Sequence, residues 1–327
     1  MASMRSCVAL LLAGVGCGGS LDAGWDEPKN PLLPVDDRNP VLLCNDGAYD
    51  NWQGEYALLM ASKGTLSLAG IVISTSPNSS NLTDNLAGWQ AMVDAARRSG
   101  LNNIPDPKPS KGGGANLVRP SDGKIDSTVP NNSDGAQFIN NKSNELSHPY
   151  RPLVVVTGGR LTDVADAYLM DPTLADRIVV VASLGSATKD GGAMGIPNGE
   201  MDTWADVIVA QRLRYVQVSA FYDQTADLPT SLLPQLPTNQ FTSWMKAKQT
   251  QVFNDVKAAD QVGVVAVGIP TFVSARSKVV QRGVDSNNIP TLAGDGNGPI
   301  WLVSEIKGAL ATAWLAEMLL APTTFSP

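Results

Sequence analysis

The feature that most constrains the fold is a series of short apolar runs, each followed by a stretch with helical spacing. The clearest runs are "RPLVVVTGG" and "DRIVVVASLG", which are separated by "RLTDVADAYLMDPTLA". Strands buried on both faces have such continuous runs, and a helix between two strands allows them to lie parallel. The chain is therefore predicted to be an α/β protein with a mainly parallel central sheet flanked by helices.

Other segments continue this alternation. Strands are predicted at "PVLLC" and "LSLAGIVIST", and helices at "NWQGEYALLMASKG" and "LTDNLAGWQAMVDAARRSG". The segments "DVIVAQRL" and "VGVVAVGIPTFVS" add later elements, and "PIWLVSEIKGALATAWLAEML" is predicted as a final helix. The alternation fails between Leu101 and Tyr150, where Pro, Gly, Asn and Ser dominate. A connection of that length is either disordered or functional, for instance as a lid.

The amino terminus has the features of a secretory signal. Residues 1–17 contain one Arg, a short apolar run from Cys7 to Val15 and then small residues, which is too short for a permanent membrane helix. Cys17 after Gly16 suits lipoprotein processing, although Gly14 stands where Leu is usual. We predict a signal that ends at an acylated Cys17, a flexible tether over residues 18–39 and a single domain over residues 40–327. The protein is then exported, as a membrane-anchored lipoprotein in the periplasm or on the cell surface, or otherwise secreted.

Charge and residue types argue against several functions. A formal net charge of −7 without a basic run disfavours nucleic acid as a partner. The single histidine, His148, gives little basis for a Ser–His–Asp triad or a zinc site. The glycine turn in "VVVTGGRLTDVADAY" lacks both G-x-G-x-x-G and the P-loop lysine, so a tight turn is favoured over phosphate binding. The expected partner is a small or neutral ligand, or a cation.

Three oxygen-bearing side chains, Asp46, Asp50 and Asn51, share the turn between the first predicted strand and helix. Ligands of open α/β sheets bind beyond the carboxyl ends of the strands, where Asn78 and Thr157 are also expected. Carboxylate and amide oxygens suit calcium, which takes about six to eight oxygen ligands. Capping of the helix by Asp50 or Asn51 is the alternative, but it explains only one of the three residues.

This turn resembles the signature D-x-D-P-G-x-D-D of the inosine-uridine-preferring nucleoside hydrolases, aligned here with "CNDGAYDN". Further segments follow in the order of that family. "GIVISTSPN" is similar to the second-strand segment that ends in Asn, "VVVTGGRLTDVADAY" to T-G-x-L-T-N-x-A-x-A, and "PNGEMDTWADVIVA" to the stretch with E-F-N and D-P-x-A-A. "LVSEIKGALA" takes the place of the H-D-x-x-A segment. The resemblance spans residues 41–315 and implies a Rossmann-like fold with an active site at the carboxyl ends of an open sheet.

The resemblance implies a calcium-dependent hydrolase that cleaves the N-glycosidic bond of ribonucleosides or related ribosyl compounds. Asp46 would be a calcium ligand and the general base for the attacking water. Asn51, the main-chain oxygen of Thr157, and Glu305 would complete the calcium site. The residues implied to hold the ribosyl hydroxyls are Asp50, Asn78, Asn198, Glu200 and Asp202. The family also implies a homo-oligomer, for which this sequence carries no interface signal.

Four departures from the family pattern bear on metal binding and on the acid for the leaving base. Cys44 and Asn51 replace two aspartates, Ser304 replaces the histidine, and Glu305 replaces the closing aspartate. Fewer carboxylates weaken calcium binding, and replacement of the motif histidine removes an obvious acid for the leaving base. A catalytically degenerate nucleoside- or sugar-binding lipoprotein is therefore the second hypothesis. A third is a surface interaction module, in which residues 101–150 are the working part and are dispensable for calcium binding.

Overall fold

The computed structural model describes residues 35–47, 52–77, 79–183, 188–189, 198–218, 230–252, 260–284, 290–294 and 298–325. The predicted signal, Cys17 and most of the predicted tether lie outside these residues. The end of the predicted tether packs against the domain, since Val35 is buried and the Asn39 side chain donates to the carbonyl of Pro152 at 2.8 Å. Within the described part of the chain, no helix has the length and apolar character needed to cross a membrane.

One ten-stranded sheet forms the centre of the structure. Its strands are β1 (Pro40–Asn45), β2 (Ser67–Ile73), β3 (Pro107–Pro109), β4 (Leu153–Gly158), β5 (Ile178–Ser183), β6 (Thr188–Lys189), β7 (Arg214–Val218), β8 (Val273–Val284), β9 (Pro290–Gly294) and β10 (Ile300–Ile306). Their order is β3-β2-β1-β4-β5-β7-β10-β8-β9-β6. Neighbouring strands are parallel, except that β8 is antiparallel to both β10 and β9. The predicted α/β class with a mainly parallel sheet is confirmed.

The central strands are buried on both faces, as their continuous apolar runs predicted. Along β1, Val41 and Leu43 face one core cluster, while Leu42 and Cys44 face the other. Burial of one such aliphatic side chain contributes about 1.5–3 kcal/mol. In the register of the sheet, Cys44 of β1 lies beside Thr157 of β4. The two strands therefore end together.

Eight helices, counted over the described residues, cover the two faces of the sheet. They are α1 (Gln53–Lys63), α2 (Leu82–Arg98), α3 (Asp134–Leu146), α4 (Thr162–Met170), α5 (Thr203–Arg212), α6 (Gln240–Val252), α7 (Gln261–Gly268) and α8 (Gly308–Leu320). Helices α1, α2, α6, α7 and α8 pack on one face, and α3, α4 and α5 pack on the other. Helix α1 ends where Gly64 adopts a φ of 75°, a conformation that glycine tolerates without strain.

The segment predicted as one final helix is a strand followed by a helix. Residues Ile300–Ile306 form β10, and α8 begins at Gly308. Trp301 pairs with Val216 of β7 on one side and with Lys278 of β8 on the other. Because this position between two strands satisfies the main chain, the apolar start of the segment is extended rather than helical.

The segment from Leu101 to Tyr150, which was predicted to be either disordered or functional, is built into the domain. It contains the edge strand β3, a 3-10 turn over Ile125–Ser127 and helix α3. Ile125 and Ile139 belong to the core cluster beneath α4 and α5. Deletion of this segment would therefore remove part of a core layer, which argues against a separable interaction module.

Candidate functional site

Asp46 directly follows β1 and has 3 % of its surface exposed. Its carboxylate accepts hydrogen bonds from the Ser76 side chain, beyond the end of β2, and from its own main chain. Gly159, just after β4, lies against it, since a Cβ at Gly159 would be 3.1 Å from the carboxyl carbon of Asp46. The ends of three neighbouring strands therefore enclose this carboxylate.

The surroundings of Asp46 act on its pKa in opposite directions. Burial raises the pKa, whereas the hydrogen bond from Ser76 and the positive charge of Arg160 lower it, and burial prevails. A carboxylate with a raised pKa is a better proton acceptor near neutral pH. A raised pKa suits the role of general base that was predicted for Asp46, and this role stays a prediction.

Thr157, the second predicted metal ligand that the structure describes, lies near the end of β4. Its hydroxyl is buried and has no hydrogen-bond partner within the described part of the chain. Nearby, Asn45 Nδ2 donates to the carbonyl of Gly158 at 3.0 Å and to Gln53 Oε1 at 2.6 Å. These bonds tie the turn after β1 to the end of β4, so Asp46 and Thr157 share one edge of the sheet.

Four of the predicted site residues are wholly or partly outside the described residues. Asp50, Asn51 and Asn78 lie outside them. The main chain of Glu200 forms part of a 3-10 turn, Gly199–Met201, but its side chain is also outside the described part. The roles assigned to these residues from the sequence stay predictions.

Asn198 lies just before that turn and is buried. Its Nδ2 donates to the carbonyl of Ser183 at 2.9 Å and to Oδ1 of Asp260 at 3.0 Å. The amide therefore links the end of β5 to the residue before α7. Ribosyl binding by Asn198 stays a prediction, and it would have to coexist with these bonds.

Asp202 caps α5 and is also buried. One carboxylate oxygen accepts from the amide of Ala205 at 3.2 Å. The other accepts from Thr162 Oγ1 at 2.6 Å and from the amide of Leu117 at 3.0 Å. Asp202 thus holds three protein groups, and its predicted contact with a ribosyl hydroxyl stays a prediction.

The structure separates Glu305 from Asp46. Glu305 is exposed on β10, which is four positions from β1 in the sheet, or about 19 Å at the usual spacing between strands. Calcium contacts its ligands at about 2.3–2.6 Å. Glu305 and Asp46 therefore cannot bind one cation in this arrangement, and the predicted calcium set is corrected at this position. The sequence prediction relied on motif order, whereas strand order in the sheet decides the distance.

Asp260, directly before α7, is a residue that the sequence prediction missed. It is buried, and its main-chain oxygen accepts hydrogen bonds from Ser183 Oγ at 2.6 Å and from Gln53 Nε2 at 3.4 Å. Since Gln53 also binds Asn45, Asp260 belongs to the same polar network as the turn after β1. The signal was present in "KAADQVGVVAVG", where a carboxylate directly precedes a helix that is apolar after its first residue, Gln261.

The oxygen atoms that the described residues offer are of the type that binds calcium, but they are few. The carboxylate of Asp46 and the main-chain oxygen of Thr157 are hard oxygen ligands. Among the described residues, no group of three or more His, Cys, Asp or Glu is placed to hold a metal ion. Calcium binding at this edge stays a prediction, and its further predicted ligand, Asn51, lies outside the described residues.

Residues 110–117, "SKGGGANL", cross this edge of the sheet and are here called the strap. Two of its glycines pack closely on the structure beneath. A Cβ at Gly113 would lie 2.3 Å from Oδ1 of Asp163, and a Cβ at Gly114 would lie 2.2 Å from Oγ1 of Thr75. The strap therefore lies against the end of β2 and the start of α4, close to Asp46.

Arg160 joins the strap to the end of β4. It is 7 % exposed, and its Nη1 donates to the carbonyl of Gly114 at 2.8 Å and to Oδ1 of Asn116 at 2.9 Å. Burial lowers the pKa of Arg160, while the neighbouring carboxylates Asp202, Asp46 and Asp163 raise it. The guanidinium thus lies among three buried carboxylates.

No family model matches the sequence, and no curated protein matches it. The structure, in contrast, is similar to several solved ones. The inosine-uridine-preferring nucleoside hydrolase from Bacillus anthracis has a TM-score of 0.60 at 14 % identity, covering 85 % of this chain and 99 % of that one. The purine-preferring ribonucleoside hydrolase from Gardnerella vaginalis has a TM-score of 0.58 at 15 % identity, covering 87 % and 99 %.

A third similar structure is the type III effector protein XopQ, solved in complex with adenosine diphosphate ribose. Its TM-score is 0.57 at 13 % identity, covering 92 % of this chain and 97 % of that one. Identities this low show the fold alone, but the agreement extends over most of each chain. The chain is a divergent protein with the nucleoside hydrolase fold, as the sequence resemblance implied.

Proposed function

We propose that the protein is a calcium-dependent hydrolase that cleaves the N-glycosidic bond of ribonucleosides or related ribosyl compounds. The observation that carries the proposal is the position of Asp46, a buried carboxylate at the carboxyl end of β1 and beside the end of β4. Ligands of open α/β sheets bind at this edge, and the fold is that of nucleoside hydrolases.

In the proposed reaction, Asp46 takes the proton of the water that attacks the anomeric carbon while the bond to the leaving base breaks. Ser76 orients the carboxylate by its hydrogen bond. Calcium, when held by Asp46, Asn51 and the main-chain oxygen of Thr157, would polarise that water. The carboxylates at this edge also stabilise the positive charge that develops on the ribosyl ring.

Asp50, Asn78 and Glu200 keep their proposed role as partners of the ribosyl hydroxyls. Asn198 and Asp202 contribute to binding only if a hydroxyl joins or replaces the protein groups that they hold. We further propose that the protein is exported, with a lipid anchor at Cys17, and forms a homo-oligomer, as the sequence and the resemblance imply.

A second candidate is a nucleoside- or sugar-binding lipoprotein without turnover. Cys44 and Ser304 replace family residues, and Arg160 brings positive charge to the edge where a ribosyl cation would develop. XopQ was solved with adenosine diphosphate ribose, so ligands of this fold include ribosyl compounds that carry phosphate. The replaced residues and the charge of Arg160 are the observations that support this second candidate.

Release of free ribose from a panel of purine and pyrimidine nucleosides tests the proposal. The full chain is assayed with calcium and with chelator, beside Asp46→Asn and the control Asp122→Asn, which alters an exposed carboxylate. We expect release that needs calcium, is unchanged in the control and falls at least about 100-fold in Asp46→Asn. Nucleosides that raise the Tm of the calcium-loaded protein but yield no ribose would contradict the hydrolase and support the second candidate.

A further inference from the structure

Asn45 is the last residue of β1 and directly precedes Asp46, the carboxylate on which the proposed function rests. Its side chain is 1 % exposed. The nitrogen of that side chain donates to the carbonyl of Gly158, at the end of β4, at 3.0 Å and to Oε1 of Gln53, at the start of α1, at 2.6 Å. An amide nitrogen carries two hydrogens, so both are used. The nitrogen of Asn45 therefore holds the end of β1 against β4 and α1.

The oxygen of the same side chain holds the residue that follows Asp46. Asn45 Oδ1 accepts from the main-chain amide of Gly47 at 2.8 Å and from Nε1 of Trp89, on α2, at 3.3 Å. The same indole nitrogen donates to the carbonyl of Gly47 at 3.0 Å. A bond from an asparagine oxygen to the amide two residues later fixes a turn of the main chain. Asp46 thus lies between two residues that are each fixed to other elements of the fold.

The direction of the Asp46 carboxylate depends on this turn. The carboxylate accepts hydrogen bonds from the Ser76 side chain and from its own main chain. Because one of these donors belongs to the turn itself, the carboxylate moves with the main chain that Asn45 holds. The family signature D-x-D-P-G-x-D-D leaves the position of Asn45 open, so the resemblance assigns no role to this residue.

We propose that Asn45 is a positioning residue, which fixes the turn that carries Asp46 and so determines where its carboxylate reaches. This inference rests on the proposed function, because Asp46 is the general base of that reaction. The hydrogen bonds of Asn45 go to Gly47 and to neighbouring elements, so Asn45 acts through the main chain of the turn. A displacement of about 1 Å can lower a rate about 100-fold. Loss of Asn45 should therefore slow proton transfer more than it weakens substrate binding.

Asn39, at the opposite end of β1, provides a matched control. It directly precedes the strand and is fully buried. Its nitrogen donates to the carbonyl of Pro152, just before β4, at 2.8 Å, and its oxygen accepts from the main-chain amide of Asp36 at 3.0 Å. Asn39 thus makes the same kinds of bond as Asn45, about 20 Å away at the usual rise of a strand. The same substitution at Asn39 should lower stability without moving Asp46.

Steady-state ribose release by the full chain tests the proposal, with kcat and KM measured well below the Tm of each variant. In Asn45→Ala we expect kcat to fall at least about tenfold and KM to change less than about threefold. Asn45→Ser should recover part of kcat, since a serine hydroxyl can accept from the amide of Gly47. Asn39→Ala should keep kcat within about twofold of the wild type. Wild-type kcat in both Asn45 variants, or an equal loss in Asn39→Ala, would overturn the proposal.

The indole N–H resonance of Trp89 reports on the turn without turnover. NMR spectra of Trp89→Phe identify this resonance by its disappearance. In both Asn45 variants it should shift and its hydrogen should exchange faster with water, whereas Asn39→Ala should leave it unchanged. If Asn45→Ala fails to fold, Asn45→Ser decides the outcome. A wild-type protein that releases no ribose contradicts the hydrolase, and the resonance then decides the role of Asn45: a shift supports it and an unchanged resonance overturns it. The two proposals therefore fail separately.

Discussion

Helices α4 and α5 each have a pair of buried aspartates at or near the amino-terminal end, and the two pairs differ in their hydrogen bonds. On α4, Asp163 and Asp166 accept hydrogen bonds from two serine side chains and from the main-chain amides of residues 131–133. At α5, Asp202 accepts three hydrogen bonds. Neither carboxyl oxygen of Asp206 has a partner among the described residues.

The difference shows that burial alone does not determine what an aspartate does. Asp163 and Asp166 fix the strap and the chain that follows it, because Ser110 begins the strap and Ser133 precedes α3. Asp202 holds the far end of the strap through the amide of Leu117. Burial, and then the charge of Asp202, raise the pKa of Asp206 well above its usual value, which favours the neutral acid. Asp163 and Asp202 thus position the strap, Asp166 positions the chain before α3, and Asp206 is a core residue.

The largest effect is expected for Asp166→Ala. Its carboxylate accepts from the amides of Asn131 at 2.7 Å and Ser133 at 2.8 Å, from the amide of Asn132 at 3.2 Å, and from Ser133 Oγ. Removal of the acceptor leaves several donors unsatisfied, so the free energy of unfolding should fall by about 3 kcal/mol or more. Urea denaturation measures this loss. The control Asp37→Ala alters an exposed carboxylate, and an equal effect there would refute the structural role of Asp166.

The same contacts explain why the segment from Leu101 to Tyr150 could not be predicted in detail. Its composition is that of a loop, and its structure depends on acceptors far along the chain. The amide of Ser133 binds a carboxylate 33 positions away, and the amide of Leu117 binds one 85 positions away. Neither helical nor strand periodicity records such contacts. The central strands, in contrast, were predictable because valine runs such as that of β4 reflect burial on both faces.

The candidate site, like the fold, could be predicted where it depends on recognisable strand ends and could not be predicted where it depends on long-range contacts. The position of Asp46 and Thr157 at the carboxyl edge could be predicted because each lies at the end of a recognisable strand, and ligands bind where parallel strands end. Glu305 was misplaced because β10 was taken as helix, and because strand order cannot be deduced from motif order. Asp260 was overlooked because it precedes helix α7 and does not follow a predicted strand. Sequence reasoning therefore failed for the residues whose position in the site depends on the order of strands and helices in space.

A smaller effect is expected for Asp202→Asn. Asparagine caps a helix about as well as aspartate, so the bond to the amide of Ala205 should survive. The amide group of asparagine cannot accept from both Thr162 and Leu117, so the free energy of unfolding should fall by about 1–2 kcal/mol. Hydrogen exchange locates the loss, because the amide of Leu117 should exchange faster while that of Ala205 is unchanged. Uniform acceleration of both amides would show that Asp202 acts through the helix rather than through the strap.

The smallest effect at acidic pH is expected for Asp206→Asn, since asparagine resembles the neutral acid that burial favours. Because its folded-state pKa is raised, Asp206 holds more protons in the folded than in the unfolded chain. The stability from its neutral form is fully present below the ordinary pKa of about 4 and is lost as pH rises through the raised value. Wild-type stability should therefore fall with increasing pH more steeply than that of Asp206→Asn.

Urea denaturation at about pH 5 and about pH 8 measures both slopes. Equal slopes would mean that Asp206 finds a partner that keeps it charged, and the contrast between α4 and α5 would then disappear.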